Sequence, residues 1–373
     1  MILTAVIFIL VLGVLVLVHE FGHFYVAKKS GMKVLEFGFG FFFRLFSLQK
    51  IEGKWKIVFG QKDLGDAEET IYSFNLIPFG GFVKIFGENN EHENDPRSFI
   101  NRPFWGRFLT LVAGVAMNFV LAWVLISIGM AIGLPASMDN PKEFSEYARI
   151  RDQRIHIEEV VSGFPAEKAG IIPGDVIEKI DTQSFKNADE ARNYVKSNAG
   201  NKFVFEITRA GEKKNVVVES IANPKEGEGT IGVMFSSFGM LYVPWYIAPV
   251  VGVKATVIQT QGILHGLSQL VTGKIEMKNV GGPVKIAQLT GQASQMGFVF
   301  LMQLTAVLSL NLGVLNILPF PALDGGRVLM LVIEKIRRKR NNQKVEQWVN
   351  VVGFSFLILL MILVTIKDVK GLF

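Results

Sequence analysis

The stretch Val18-His19-Glu20-Phe21-Gly22-His23 carries two imidazoles four residues apart, with a carboxylate beside the first. On a helix, positions i and i+4 leave the same face one turn apart. That spacing suits two ligands of a single Zn²⁺, with the adjacent Glu20 as a general base. A catalytic zinc takes three protein ligands and keeps its fourth position for water, so a third ligand must come from elsewhere in the chain. The candidate is Asp324, in Pro319-Phe320-Pro321-Ala322-Leu323-Asp324-Gly325-Gly326. A carboxylate at membrane depth is costly and is a functional candidate by default. The alternative is that Asp324-Gly325 merely turns the chain at a membrane surface.

The elements that must position these groups are apolar. Half of the 373 residues are hydrophobic and only 19% are charged, which points to an integral membrane protein. Met1–Val18 carries no charge, and the first span is expected over Met1–Phe24. It lacks the basic start and small-residue cleavage site of a signal peptide, so it reads as a retained helix. Arg102-Pro103-Phe104-Trp105-Gly106-Arg107 reads as an interface anchor before a second span, Phe108–Leu134. A third span runs from Gly297 to Leu318, where two prolines in three residues forbid an unbroken helix, and a short helix follows to Lys335. The last span is Trp348–Ile366.

The net charge of +6 raises the question of nucleic acid, but its distribution answers it. Eight Lys/Arg against Glu36 and Glu52 lie between Lys28 and Lys62, and a second cluster is Lys335-Ile336-Arg337-Arg338-Lys339-Arg340. Both adjoin apolar segments, where the positive-inside rule explains them. They set topology and do not imply a nucleic-acid partner. With the N-terminus outside, the first and third spans both end on the cytoplasmic side, bringing His19, His23 and Asp324 to one membrane face. The chain has no cysteine, so a disulfide framework or thiolate metal site is excluded.

Between the spans, Phe37–Phe43 is too aromatic and glycine-rich for an ordinary loop, while Glu52–Phe59 and Thr70–Phe86 read as short strands, the latter interrupted at Pro78-Phe79-Gly80-Gly81. They form either a small cytosolic sheet or a hairpin dipping in from the cytoplasmic face; irregular backbone is tolerated at that depth only where protein or water satisfies it. A hairpin over Ile71–Phe86 would hold an unwound substrate by strand addition, with Ile71, Tyr72, Phe74, Phe79, Gly80 and Gly81 as substrate-binding candidates. Gly114 and Asn118, one turn apart in the second span, read as close helix packing and an interhelical hydrogen bond. His92, in the acidic loop Glu88–Asp95, reads as solvated, and His265 has no partner at ligand spacing.

From Pro135 to about Asn223 the composition is that of a soluble domain. Strands are expected at His156–Val161, Val176–Ile180, Phe203–Arg209 and Asn215–Ser220, and helices at Ala166–Ala169 and Ala188–Ser197. "SGFPAEKAGIIPGDVIEKID" resembles a PDZ domain of bacterial envelope proteases, a fold that binds extended or carboxyl-terminal peptides by strand addition. Asn223–Thr230 reads as a linker, and Tyr242–Gly273 as an amphipathic helix at the outer membrane surface.

Taken together, HEFGH, "IPFGGFVKIFGE", "GVAMNF", the PDZ-like stretch, "GGPVKIA" and "NILPFPALDGG" resemble the site-2 protease family, specifically its RseP-type bacterial intramembrane zinc metalloproteases with one PDZ domain. The resemblance implies Zn²⁺ on His19, His23 and Asp324, Glu20 as catalytic base, and Asn316 in holding substrate. Val115 stands where the family's second-span motif usually has proline.

The expected fold class is a polytopic α-helical membrane protein of four transmembrane helices and a membrane-associated β-hairpin or sheet, with an inserted α+β PDZ domain. The expected domains are 1–134, the first transmembrane pair; 135–225, the PDZ domain; 226–296, linker and surface helix; and 297–373, the second pair. The resemblance implies a multi-pass protein of the bacterial inner membrane. Its PDZ domain and both termini are expected outside the cytoplasm, and its zinc site near the cytoplasmic face. Partners are then single-span membrane proteins such as anti-sigma factors or signal-peptide remnants, a peptide at the PDZ domain, and the bilayer. The second reading is a non-proteolytic PDZ scaffold, from which intact His19, Glu20, His23 and Asp324 discriminate. A zinc transporter would need several further intramembrane acidic and His sites.

Overall fold

The computed structural model describes residues 2–51, 53–61, 69–88, 94–137, 145–209, 212–222, 230–274 and 281–370. His92, residues 210–211 and nearly all of the expected linker, 223–229, lie outside them. The chain divides into two compact units, Met1–Ile126 with Gly252–Phe373, and Ser127–Val251.

In the first unit, α1 spans Ile2–Lys29, a turn longer than expected. Gly31 ends it with φ of +72°, and the amides of Gly31 and Met32 close back onto the carbonyls of Lys28 and Ala27. This is the Schellman pattern that a glycine beyond the helix end permits. Three strands follow: β1 (Val34–Ile51), β2 (Lys54–Phe59) and β3 (Ile71–Ile85), in the order β2-β1-β3. The aromatic run Phe37–Phe43 is therefore strand, and β3 continues through Pro78-Phe79-Gly80-Gly81 where a break was expected. The structure bends both strands: Phe37 is registered with Val83 and also with Tyr72, while Leu48 is registered with Tyr72 as well. The 72–74 segment thus has a β1 segment on each side, and 81–85 is registered only with 34–39.

The helix α2 spans Phe104–Ile132, α7 Phe298–Ile317, α8 Asp324–Arg337 and α9 Gln343–Lys370. Among the described residues, four helices are long and apolar enough to cross a membrane: Leu3–Lys29, Phe104–Ile132, Phe298–Ile317 and Gln343–Lys370. Each falls where a span was expected. The prolines stop α7 at Ile317, and the chain turns through Ala322, at φ of +70°, into α8. A Cβ on Gly325 would stand 2.2 Å from the carbonyl oxygen of Ile317, and one on Gly326 2.2 Å from that of Phe320. The two glycines let the start of α8 lie directly on the turn that precedes it. Between α2 and α7 in the chain, α5 (Ala248–Val271) begins later than Tyr242, and α6 (Pro283–Met296) was not foreseen as a helix. Asp368 of α9 caps α6, accepting from the amides of Gly282 at 2.9 Å and Lys285 at 3.0 Å; a carboxylate there meets orphan donors and the positive helix end.

The second unit is built on a six-stranded sheet ordered β4-β9-β5-β6-β7-β8. Its strands are β4 (Leu134–Ser137), β5 (Arg149–Val160), β6 (Val176–Ile180), β7 (Lys202–Arg209), β8 (Glu212–Glu219) and β9 (Val233–Tyr242). Among the described residues it also holds two short helices, α3 (Pro165–Lys168) and α4 (Ala188–Ser197). Ile157, Ile180, Phe203, Phe205, Ile207 and Val218 are buried on one face, with Ala191 and Val195 of α4. The expected boundary at 225 is corrected, because β9 lies inside this sheet and the unit runs to Val251. The turn Pro173-Gly174-Asp175 is pinned by Asp175, whose fully buried carboxylate accepts from Arg209 Nε and Nη2, both at 2.7 Å.

Candidate metal centre

The fold brings the two chemical motifs together. His19 and His23, one turn apart on α1, are buried, with their Nε2 atoms 3.2 Å apart. Asp324, the first residue of α8, places Oδ2 3.0 Å from His19 Nε2 and 3.3 Å from His23 Nε2. That Oδ2 atom is buried without a hydrogen-bond partner. Ligand atoms held about 2.0–2.1 Å from a tetrahedral zinc stand about 3.3 Å from one another. The triangle of two imidazole nitrogens and one carboxylate oxygen therefore fits three protein ligands of one zinc, in donor type and in spacing.

Behind the triangle, α2 fixes the two rings. His23 Nδ1 lies 2.8 Å from the carbonyl oxygen of Thr110. A carbonyl only accepts, so Nδ1 carries the proton and Nε2 turns its lone pair towards the centre. His19 Nδ1 lies 3.0 Å from the side-chain amide nitrogen of Asn118, whose Oδ1 is buried and unpartnered. The two amide ends are told apart only by their hydrogen bonds. Turning the amide over gives Oδ1 the Nδ1–H of His19 and leaves Nε2 of His19 with its lone pair free, the tautomer a metal ligand needs. Asn118 in turn offers its backbone carbonyl to Ser309 of α7, at 2.8 Å. The interhelical hydrogen bond expected of Asn118 is thus made to an imidazole of the site itself. Its sequence signal was an amide inside an apolar span.

Glycines bring the helices close enough for this. A Cβ on Gly22 would stand 2.3 Å from Ala113 O, and one on Gly114 2.3 Å from His23 Nε2. Glu20, half-buried, lines a cavity of about 210 Å³ together with His23, Phe82, Val83, Glu88, Asp324 and Arg327. The 81–85 segment forms part of that wall, and a Cβ on Gly81 would lie 3.7 Å from Glu20 Cγ.

The structure sorts the expected substrate-binding residues. Gly81 opens the 81–85 segment and Gly80, at φ of +94°, precedes it. Tyr72 and Phe74 are corrected as strand-adding positions, because each is already registered with β1 on both sides, whereas Ile71 is registered with Glu36 alone. Phe79 lies within β3, and its side chain is outside the described residues. Asn316, half-buried in the last turn of α7, is not among the residues lining the Glu20 cavity. His265 contacts Gln269 on its own exposed helix face and stands apart from the site.

The sequence profile described as Peptidase family M50 matches residues 7–61 and 63–360. The chain belongs to peptidase family M50. Among its relatives is a protein of Clostridium perfringens named as a zinc metalloprotease, 35% identical over 97% of this chain and 97% of that protein. Another of that designation, from Clostridium acetobutylicum, is 34% identical over 98% and 96%. The regulator of sigma-W protease RasP of Bacillus subtilis is 29% identical over 99% of each chain. Among solved structures, the PDZ domain of an SdrC-like protein of Listeria innocua aligns with 22% of this chain and 92% of its own, at 27% identity and a TM-score of 0.20. The expected site-2 protease resemblance holds along nearly the whole chain, and this M50 member is a zinc metalloprotease.

Proposed function

We propose that this M50 peptidase cuts single-span membrane proteins within or beside their transmembrane segments, using a zinc held by His19, His23 and Asp324. The observation that carries the reading is the juxtaposition of that ligand triangle with Glu20 and with a strand segment registered on one side only. When bound, the metal supplies Lewis acidity, which polarises a scissile carbonyl and makes a bound water more acidic. Glu20 takes the water's proton and later delivers it to the leaving amine. Thr110 and Asn118 hold the imidazoles in the ligating tautomer.

A transmembrane helix hides its peptide bonds in its own hydrogen bonds, so the substrate must unwind locally. The 81–85 segment offers backbone partners to the unwound stretch by strand addition. The six-stranded unit, read as a PDZ domain outside the cytoplasm, binds an extended or carboxyl-terminal peptide and screens substrates. Anti-sigma factors and signal-peptide remnants in the bacterial inner membrane are the substrate classes this reading implies.

Glu20→Gln tests it: the variant keeps its zinc and its fold but no longer cleaves a co-expressed single-span reporter. Cleavage at the wild-type rate by that variant would sink the mechanism. Comparing membrane fragments from cells carrying the wild type and Glu20→Gln then identifies the substrates.

A further inference from the structure

Two of the stretches that mark the family meet at an ion pair that the chemistry above does not use. Glu88 closes IPFGGFVKIFGE, and Arg327 follows ALDGG by one residue. Arg327 Nη1 lies 2.5 Å from Glu88 Oε1, and both side chains line the cavity that holds Glu20 and Asp324. Each end is anchored to a part of the site. Glu88 is tied to the end of β3 by a hydrogen bond from its amide to Ile85 O, at 3.3 Å, through Gly87 at φ of +74°. Arg327 stands three residues after Asp324 on α8, on the same face of that helix.

The far end of α8 is held separately. Arg107 of α2 grips Glu334 with two hydrogen bonds, at 2.8 and 3.0 Å. The start of α8 is pressed onto the preceding turn through Gly325 and Gly326. Asp324 is therefore fixed without help from Glu88, whereas the 81–85 segment has no other ion pair to α8 among the described residues.

We propose that the Glu88–Arg327 pair is a positioning device, setting the substrate-binding 81–85 segment in register with Glu20 and the ligand triangle. This rests on the proteolytic reading above. A peptide laid along a strand advances about 3.3 Å per residue, so a small shift of that segment carries the scissile bond past Glu20 while leaving the metal ligands in place. Arg327 acts through the strand rather than on the reacting atoms.

The test uses the full zinc-loaded chain in proteoliposomes and a synthetic single-span peptide bearing a fluorophore and quencher. Glu88→Gln and Arg327→Gln are each expected to lower kcat by about a hundredfold, with KM little changed and zinc stoichiometry intact. The exchange variant, E88R with R327E, is expected to recover about tenfold of that loss. The chain has no cysteine, so E88C with R327C, joined by a short bismaleimide, gives a second arm that needs no charge. Wild-type kcat in the neutral variants overturns the proposal. So does zinc lost in step with activity, or no recovery in either arm. Glu20→Gln runs alongside: if the wild type cuts no faster than it, the proteolytic reading fails, and the positioning role fails with it for a separate, visible reason.

Discussion

Gly114 of α2 faces His23 of α1 so closely that a methyl group on Gly114 would stand 2.3 Å from His23 Nε2. The methyl group would occupy the side of the ring on which the ligand triangle closes. Gly114→Ala must therefore push the imidazole out of line or force α2 away from α1. We expect the variant to reach the membrane and to bind zinc at least ~10-fold more weakly, by analogy with damage to the shell behind a metal site. Zinc competition against a graded chelator measures this. Wild-type affinity in Gly114→Ala would show that the close approach has no bearing on the metal.

Asn118 separates two hydrogen-bond polarities. If its Oδ1 accepts from His19 Nδ1–H, then Asn118→Asp keeps an acceptor there and retains zinc, while Asn118→Leu loses about 10–100-fold in affinity. If instead the amide nitrogen faces the ring, both variants lose affinity together. The expected order is wild type near Asn118→Asp, with Asn118→Leu far below, read by the same chelator competition.

The chemistry of this site was legible because it lies in residue types at fixed spacing. His19, Glu20 and His23 declare themselves within five residues, and Asp324 stands out as a carboxylate at the end of an apolar run. The four long helices were legible because apolar length admits few other readings. What was not legible depended on which backbone meets which. The polar, glycine-rich run Asn223–Thr230 reads as the end of the domain, yet β9 follows it in the sheet, so the six-stranded sheet was cut short at 225. The bends in β1 and β3 turn one apparent hairpin into interleaved segments, which leaves 81–85 registered on one side where Tyr72 and Phe74 are registered on both. Asn118 read as helix packing because nothing in a sequence says which side chain an amide will meet.

The glycines after Asp324 make a third prediction. Gly326→Ala would bring its methyl group to 2.2 Å from Phe320 O, a backbone atom that cannot swing aside. The start of α8 must lift, and with it Asp324, whose carboxylate completes the triangle at 3.0 and 3.3 Å from the two histidines. The expected result is a helical, membrane-inserted protein with much reduced zinc content and no cleavage. An equivalent alanine at Gly262, where a Cβ meets nothing within 4 Å, is the control and should behave as wild type.

The last prediction concerns stability away from the metal. Asp175 is fully buried, and Arg209 grips both of its oxygens at 2.7 Å while Ile172 N donates to Oδ2 at 3.0 Å. The carboxylate beside it raises the Arg209 guanidinium above its ordinary pKa, so the cation persists across the accessible pH range. Asp175→Ala strands that cation and an amide. Because Arg209 is 28% exposed, water relieves part of the loss, and about 3 kcal/mol is expected, the low end for a broken buried pair. Hydrogen exchange of the full chain should show β6 and β7 opening far more often in the variant. The zinc affinity should stay unchanged, because no ligand or ring partner lies in this unit. Unaltered exchange in β6 and β7 would mean that the sheet holds this turn without the ion pair.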